Sequence, residues 1–219
     1  MLILNLLDYA GVGLFAATGA LTASRRQLDL VGFVFLATIT GVGGGTIRDL
    51  ILAVPVFWVV NTTYLVICAG IAVIAFFTAH LIESRYRLLL WLDALALAAY
   101  GVYGAVKGLE VTGNPVIAVV MGALTATLGG ILRDVLAQEQ TVLMRKEIYI
   151  TAAVLGAGLY VVARGLGVPL AGAIMFAVAA SFALRGGALL YGWTLPAYRA
   201  RPGRSYDGTK RLDDDTGPR

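Results

Sequence analysis

Charged residues are scarce in this chain of 219 residues: only 14% of them are Asp, Glu, Lys or Arg, whereas 59% are hydrophobic. The mean hydropathy is +0.83, which leaves too few polar side chains to cover the surface of a water-soluble domain. The only cysteine, Cys68, excludes an intramolecular disulfide framework. These shortages exclude the soluble and the disulfide-stabilised classes of protein.

Catalytic and cofactor-binding motifs are also missing. A single histidine and a single cysteine form no cluster with metal-ligand spacing, and the serines form no credible triad with that histidine. The stretch GVGGGT at 41–46 does not open a soluble βαβ unit, so it is not a dinucleotide-binding loop, and no Walker loop follows a strand. We therefore predict a protein that is not an enzyme and that needs no cofactor or resident metal.

Long apolar stretches are what the sequence has in abundance. Seven of them carry little or no charge: 3–23, 30–47, 62–82, 88–106, 111–132, 147–163 and 165–184. Each is near the roughly 20 residues that a helix needs to cross about 30 Å of hydrocarbon. They lack the period-two alternation of barrel strands. The sequence predicts an all-α integral membrane protein with seven transmembrane helices.

The basic residues predict how these helices are oriented. When the seven spans alternate across the membrane, fourteen of the 17 Lys and Arg residues fall on one side, and only Arg48, Lys107 and Arg164 fall on the other. The positive-inside rule then places the N-terminus outside and the C-terminus in the cytoplasm. The net charge of +4 is explained by this topology and by attraction to anionic lipid on the cytoplasmic side, without any nucleic-acid partner. Residues 192–219 are expected to form a disordered cytoplasmic tail.

An internal repeat appears when the sequence is shifted by 85 residues. This single offset aligns Asp8 with Asp93, Thr40 with Thr125, Gly44-Gly45 with Gly129-Gly130, Arg48-Asp49 with Arg133-Asp134 and Tyr64 with Tyr149. Each copy contains three spans, an odd number, so the second copy enters the membrane from the opposite side. The sequence predicts an inverted repeat, which is typical of transport proteins. The expected membrane domain is 1–191, with repeat one at 3–82, repeat two at 88–167 and a seventh helix at 168–190.

Ionisable residues near the ends of these spans form two predicted clusters. Asp8 and the pair Arg48-Asp49 lie at similar depths on one side, and Asp93 and the pair Arg133-Asp134 lie at similar depths on the other. Charges at such depth are costly unless they are paired or hydrated. We therefore expect two mirror-related charge clusters that flank the membrane midplane.

Glycine motifs precede both Arg-Asp pairs. Gly43, Gly44 and Gly45 in the second span, and Gly129 and Gly130 in the fifth, favour a kink or a short unwinding of each helix. The spacing i, i+4, i+8 puts Thr40, Gly44 and Arg48 on one stripe, and the equivalent residues Thr125, Gly129 and Arg133 on another. Two inverted polar stripes of this kind are what a water path across the membrane requires.

Structural explanations compete with this functional one. The glycines are also the small residues that let membrane helices pack closely. Arg48 and Arg133 also fit the role of snorkelling residues at helix ends. Asp8 and Asp93 also fit that of partly hydrated carboxylates near helix ends. Tyr64 and Tyr149 are expected to belong to the aromatic belts at the membrane surfaces.

Two three-helix units, each with Gly-Gly-x-x-Arg-Asp at the end of its second helix, followed by a seventh helix, resemble the prokaryotic trimeric intracellular cation (TRIC) channel family. The stretch KEIYITAAVLGA from Lys146 also fits that family, and the resemblance covers about residues 3 to 191. It implies a homotrimer in the inner membrane of a prokaryote. It also implies one path for K⁺ or Na⁺ in each protomer, lined by kinked second and fifth helices. The family's pattern has one departure here, because Leu128 stands where the first copy has Gly43.

Related bacterial sequences are also described as a glycine-transporter domain. An inverted repeat suits a carrier for glycine or another small solute as well as it suits a channel. A structural membrane protein with buried ion pairs is a third class that fits the same fold. The residues alone leave these alternatives open.

Overall fold

Seven long helices account for most of the chain described by the computed structural model, which covers residues 2–82, 84–141 and 148–196. They are α1 (Leu2–Arg25), α2 (Leu30–Ile51), α3 (Thr63–Thr78), α4 (Arg85–Thr112), α5 (Pro115–Leu136), α6 (Ile150–Gly165) and α7 (Leu170–Tyr191). A one-turn helix (Phe57–Val60) precedes α3, and a 3-10 turn (Ala79–Leu81) follows it. The predicted all-α fold is confirmed.

The helices have the length and surface of membrane spans. Six of the described helices are long and apolar enough to cross a bilayer, and α6 is also apolar but shorter, with 16 residues. Large hydrophobic side chains are exposed around the bundle, including Val31 at 74% and Val66 at 69%. Such a surface suits hydrocarbon as the solvent rather than water.

Two predicted span boundaries are wrong because turn signals interrupt the uncharged stretches. The predicted stretch 111–132 begins inside α4, which stops at Gly113 with a left-handed φ of 64°. Asn114 then caps α5, whose first residue is proline. The predicted stretch 165–184 contains the turn at Gly167, with a φ of 81°, so α7 begins at Leu170, five residues after the start of that stretch.

The helices form two three-helix bundles that are inverted relative to each other. The first contains α1 to α3 and the second contains α4 to α6; α1 packs on α4, α2 packs on α5, and α7 lies against α4 and α6. Asp8, near the start of α1, accepts a hydrogen bond from Tyr103, near the end of α4. The start of one unit therefore lies beside the end of the equivalent helix in the other. The predicted inverted repeat is confirmed.

The 85-residue offset also relates the ends of α2 and α5. Both helices begin with a side-chain cap, in which Asp29 accepts from the backbone N–H of Gly32 and Asn114 accepts from that of Ile117. Both end with a residue in the left-handed region that is not glycine, Ala53 at φ 53° and Gln138 at φ 51°. The two copies thus preserve local geometry even where the residues differ.

Part of the predicted topology falls outside the described residues. Helix α7 ends at Gly192, which has a left-handed φ of 68°. The predicted disordered tail is described only as far as residue 196, and residues 197–219 lie outside the described ranges. Arg145 and Lys146, which entered the count of basic residues, also lie outside them.

Candidate functional site

Helices α2 and α5 approach each other most closely at two glycines that the repeat relates. A Cβ atom on Gly129 would lie 2.6 Å from the carbonyl oxygen of Thr40, and one on Gly44 would overlap the carbonyl oxygen of Thr125. The two contacts exchange under the 85-residue offset, so they are two copies of one arrangement. Close packing of backbone on backbone therefore requires glycine at both positions.

The remaining motif glycines also face close neighbours. A Cβ atom would lie 2.7 Å from the side chain of Leu132 at Gly43, from the ring of Phe57 at Gly45 and from the hydroxyl of Tyr149 at Gly130. Helix α2 is helical without a break from Leu30 to Ile51, and α5 is likewise helical from Pro115 to Leu136. The short unwinding considered from the sequence is therefore not present, while a kink remains a prediction.

The two threonines of the predicted polar stripes are buried at this crossing. Thr40 and Thr125 have no exposed surface. Each hydroxyl donates to a carbonyl of its own helix over 2.6 Å, from Thr40 to Leu36 and from Thr125 to Met121. Since the hydroxyl proton is used within the helix, the hydroxyl oxygen is left to act as an acceptor.

At one end of the crossing, Arg48 and Asp49 have no exposed side-chain surface. Nε of Arg48 donates to Oδ1 of Asp49 over 2.8 Å, and Nη2 lies 2.8 Å from the same oxygen without the geometry of a hydrogen bond. Nζ of Lys107, from α4, lies 2.9 Å from that oxygen. Oδ2 of Asp49 accepts from the backbone N–H of Phe57 over 3.0 Å. Asp49 is thus the anion between two cations.

Asp8 lies beside this group but is not paired with Arg48. Oδ2 of Asp8 accepts hydrogen bonds from the hydroxyls of Tyr64 and Tyr103, the second over 2.9 Å. The ring of Tyr103 receives the guanidinium of Arg48, whose Cζ is 5.2 Å from the ring centre. We call Asp8, Arg48, Asp49 and Lys107, with these two tyrosines, the first cluster. Tyr64 is only 7% exposed, so its assignment to an aromatic belt is wrong.

At the opposite end, the second cluster joins Arg133 to both expected carboxylates. Nη1 of Arg133 donates to Oδ1 of Asp93 over 2.8 Å and to Oγ1 of Thr18 over 2.9 Å. Nε donates to Oδ1 of Asp134 over 2.9 Å. The three charged residues are each 2% exposed. Burial this complete is more than a snorkelling arginine at a helix end would show.

Helix α7 brings a further arginine to the second cluster. Arg185 is 1% exposed, and its Nη1 donates to the carbonyl of Ile148 over 3.2 Å. Its Cζ lies 5.2 Å from the ring centre of Tyr149, whose hydroxyl approaches Gly130. Tyr149 is 2% exposed, so the aromatic-belt interpretation is wrong for it too.

Sequence patterns did not place five residues of these clusters there: Thr18, Tyr64, Tyr103, Lys107 and Arg185. Lys107 and Arg185 were counted only as markers of topology. The repeat itself carried a signal for three of them, because the 85-residue offset aligns Thr18 with Tyr103 and Thr22 with Lys107. Together, the two clusters place fixed charges of both signs at the two ends of a glycine-mediated crossing.

Comparison with known proteins gives a family match to both halves of the chain. The family model described as Glycine transporter matches residues 5–80 and again 90–165, two segments that differ by the same 85 residues. A UPF0126 membrane protein of Vibrio cholerae is 36% identical over 201 residues, which are 90% of this chain and 83% of that protein. The UPF0126 inner membrane protein YadS of Escherichia coli K12 is 38% identical over 198 residues, 88% of this chain and 94% of that one.

Solved structures show the same fold. The TRIC trimeric intracellular cation channel orthologue from Rhodobacter sphaeroides superposes with a TM-score of 0.86 and 50% sequence identity, over 88% of this chain and all of that chain. A structure solved to explain conductance through TRIC cation channels gives a TM-score of 0.81 at 30% identity, over 91% of this chain and 98% of that chain.

Proposed function

The chain belongs to the Glycine transporter family and shares its fold with solved prokaryotic TRIC channels, and on this premise we propose that it is a channel for monovalent cations such as K⁺ and Na⁺. The observation that carries the proposal is 50% identity to a TRIC orthologue over the whole of that solved chain. The relatives named above are membrane proteins and channels rather than enzymes.

The ion path that we propose runs along the crossing of α2 and α5 in each protomer. Carbonyl and hydroxyl oxygens of Thr40 and Thr125 are concentrated there, beside Gly44 and Gly129. Such oxygens replace the hydration shell of a cation in a narrow path. In this closely packed arrangement the path is closed at the crossing, so conduction requires α2 and α5 to separate.

The two clusters support cation passage by their charge balance. The first cluster sets Asp8 and Asp49 against Arg48 and Lys107, and its net charge is therefore zero. A fixed cation in a path repels permeant cations unless a carboxylate offsets it. The aspartates of each cluster provide that offset.

We further propose that three protomers assemble, since the Rhodobacter sphaeroides protein is named a trimeric channel. Small residues along α7 leave room for close helix contact: Ala173 and Ala177 are buried within the protomer, whereas Ala171 and Ala179 are exposed and available to a neighbour. Cross-linking in mild detergent should give a ladder that ends at the trimer. A ladder that ends at the dimer would contradict this assembly.

The orientation that we propose places the N-terminus outside and the C-terminus in the cytoplasm, following the distribution of basic residues. Arg25, at the end of α1, and Arg26, in the connection to α2, then face the anionic lipids of the cytoplasmic leaflet. Single cysteines introduced in the α1–α2 and the α2–α3 connections would test this orientation when intact cells are labelled from outside with a membrane-impermeant thiol reagent. Labelling from outside at the α1–α2 connection would reverse the assignment.

The experiment that tests the function is a planar-bilayer recording of the purified protein under a KCl gradient. Discrete current steps that reverse near the K⁺ equilibrium potential are the expected result. Saturable glycine uptake into liposomes without such steps would instead support a carrier, in line with the name of the family. If the protein gives neither current steps nor glycine uptake, a structural role is the function that remains.

A further inference from the structure

The two charge clusters are equivalent by the repeat, yet their ion pairs differ. Arg133 is bonded directly to Asp93 at 2.8 Å. The equivalent residues Arg48 and Asp8 form no ion pair and no hydrogen bond with each other in the described part of the chain. Because the backbones follow the same repeat, the difference must come from a side chain at a position that the repeat did not preserve.

Two such positions lie at the clusters, Thr22/Lys107 and Thr18/Tyr103. Among the described residues, Lys107 pairs with Asp49 only. Tyr103 lies between Asp8 and Arg48, and Thr18 stands in its place in the second cluster. The small Thr18 accepts a hydrogen bond from Nη1 of Arg133, the same nitrogen that reaches Asp93. Tyr103 instead contacts both members of the pair in the first cluster: its hydroxyl donates to Asp8, and its ring receives Arg48. The tyrosine therefore takes the place of the direct ion pair.

This arrangement leaves specific atoms of the first cluster without partners. Among the described residues, Oδ1 of Asp8 and Nη1 of Arg48 are buried and make no hydrogen bond. Asp8 is 3% exposed and Arg48 has no exposed surface. A buried carboxylate oxygen without a donor is costly, and it is a strong ligand for a cation that can reach it.

We propose that Asp8 is a binding site for a monovalent cation in the first cluster, and that Tyr103 is the positioning residue that keeps Asp8 available by holding it away from Arg48. The ligand atoms are Oδ1 of Asp8 and the hydroxyl oxygen of Tyr64, which donates its proton to Oδ2 and keeps a lone pair free. In the second cluster, the small Thr18 lets Arg133 bind Asp93 directly, so Asp93 is not available to a cation.

This inference deepens the proposed function and rests on it, because the site would be a station on the cation path. Without the charge of Asp8, the remaining charges of the first cluster, Arg48, Asp49 and Lys107, sum to +1. The same loss of an accessible anion follows if Arg48 moves onto Asp8. Both changes should therefore weaken cation binding through one cause.

The first test is the dependence of single-channel conductance on KCl concentration. Asp8→Asn and Tyr103→Thr should each raise the half-saturating K⁺ concentration by about tenfold, a change that corresponds to about 1.4 kcal/mol. Tyr103→Phe keeps the ring between the two charged groups and should recover most of the affinity. Tyr160→Thr removes another buried tyrosine, in α6, and serves as the matched control that keeps the parent value.

A double variant distinguishes a positioning role from an independent one. If Tyr103 acts through Asp8, then Asp8→Asn combined with Tyr103→Thr should bind K⁺ no more weakly than Asp8→Asn alone. Additive effects would overturn the proposed role of Tyr103. A half-saturating concentration that Asp8→Asn leaves unchanged would overturn the site itself, even if Tyr103→Thr fails to fold.

A binding measurement without current separates this inference from the channel function. In detergent, KCl should raise the thermal unfolding midpoint of the parent protein above that in choline chloride, and the rise should disappear in Asp8→Asn. If the parent protein gives no current but shows this Asp8-dependent protection, the site stands and the channel function falls. Protection that is absent, or equal in the two proteins, would overturn the site.

Discussion

Replacing Gly44 by alanine is the most direct test of the crossing between α2 and α5. The added Cβ would overlap the carbonyl oxygen of Thr125, and the equivalent change at Gly129 would bring Cβ to 2.6 Å from the carbonyl oxygen of Thr40. Carbon and carbonyl oxygen ordinarily meet at about 3.3–3.6 Å, so the two helices would have to move apart by about 0.7–1.0 Å at Gly129. Because the obstacle is backbone, no side chain can turn aside to make room.

The expected magnitude follows from two opposing effects. Alanine is favoured over glycine inside a helix by about 1 kcal/mol. Overpacking of a tight contact costs about 1–3 kcal/mol, and here it acts at a rigid backbone. We therefore expect Gly44→Ala to lower the stability by up to about 2 kcal/mol net. Gly70→Ala in α3, where no atom of the described residues lies within 4 Å of the added Cβ, should leave the stability unchanged or raise it.

The measurement is thermal or denaturant unfolding in detergent, followed by circular dichroism and by the retention of the native oligomer on size exclusion. Gly129→Ala and the double variant provide the second copy of the contact. If Gly44→Ala proves as stable as Gly70→Ala, the close approach of the two helices is not what requires glycine. For variants that remain folded, a changed conductance or open fraction would support a pore role, whereas unchanged conductance of the double variant would show that these glycines serve packing only.

Further expectations concern ion pairs and helix ends. Arg133→Ala should cost about 3–5 kcal/mol because it removes the arginine bound to two buried carboxylates. Arg25→Ala, at a partly exposed pair, should cost less than about 1 kcal/mol. Equal losses in parallel unfolding experiments would contradict this difference. Ala53→Gly and Gln138→Gly should each stabilise the protein by about 1 kcal/mol, because both residues have left-handed backbone conformations that glycine adopts freely. A fall in the unfolding temperature of either variant would show that its side chain contributes more than its backbone costs.

Much of the architecture could be predicted because a single 85-residue offset relates the two three-helix units. The distance of 85 residues fixes the inversion once each unit has three spans, and it places Arg48 and Arg133 at opposite ends of the bundle. Uncharged length alone located the helices but not their ends. Gly113 and Gly167 fall inside uncharged stretches, and their left-handed conformations, rather than any charge, end α4 and separate α6 from α7.

The partners of the buried charges could not be predicted in the same way. Depth along a helix predicted both Asp8 and Asp49 as possible partners for Arg48. In the structure Arg48 binds Asp49, because Tyr103 lies between Arg48 and Asp8. Tyr64 and Tyr149 fitted the rule for interfacial aromatics, but that rule does not specify whether a ring faces lipid or the bundle. Contacts between separate helices set these choices, and a one-dimensional pattern does not contain them.

The backbone contact between α2 and α5 also determines what kind of motion can change their spacing. Side-chain gates respond to rotamer changes on the picosecond to nanosecond scale, whereas displacement of whole helices takes microseconds to milliseconds. At this crossing the backbone carbonyl groups of Thr40 and Thr125 contact Gly129 and Gly44, which have no side chains. No rotamer change can therefore relax the contact. Any widening there must be a concerted shift of both helices, and it should appear as slow, discrete transitions rather than as fast flicker.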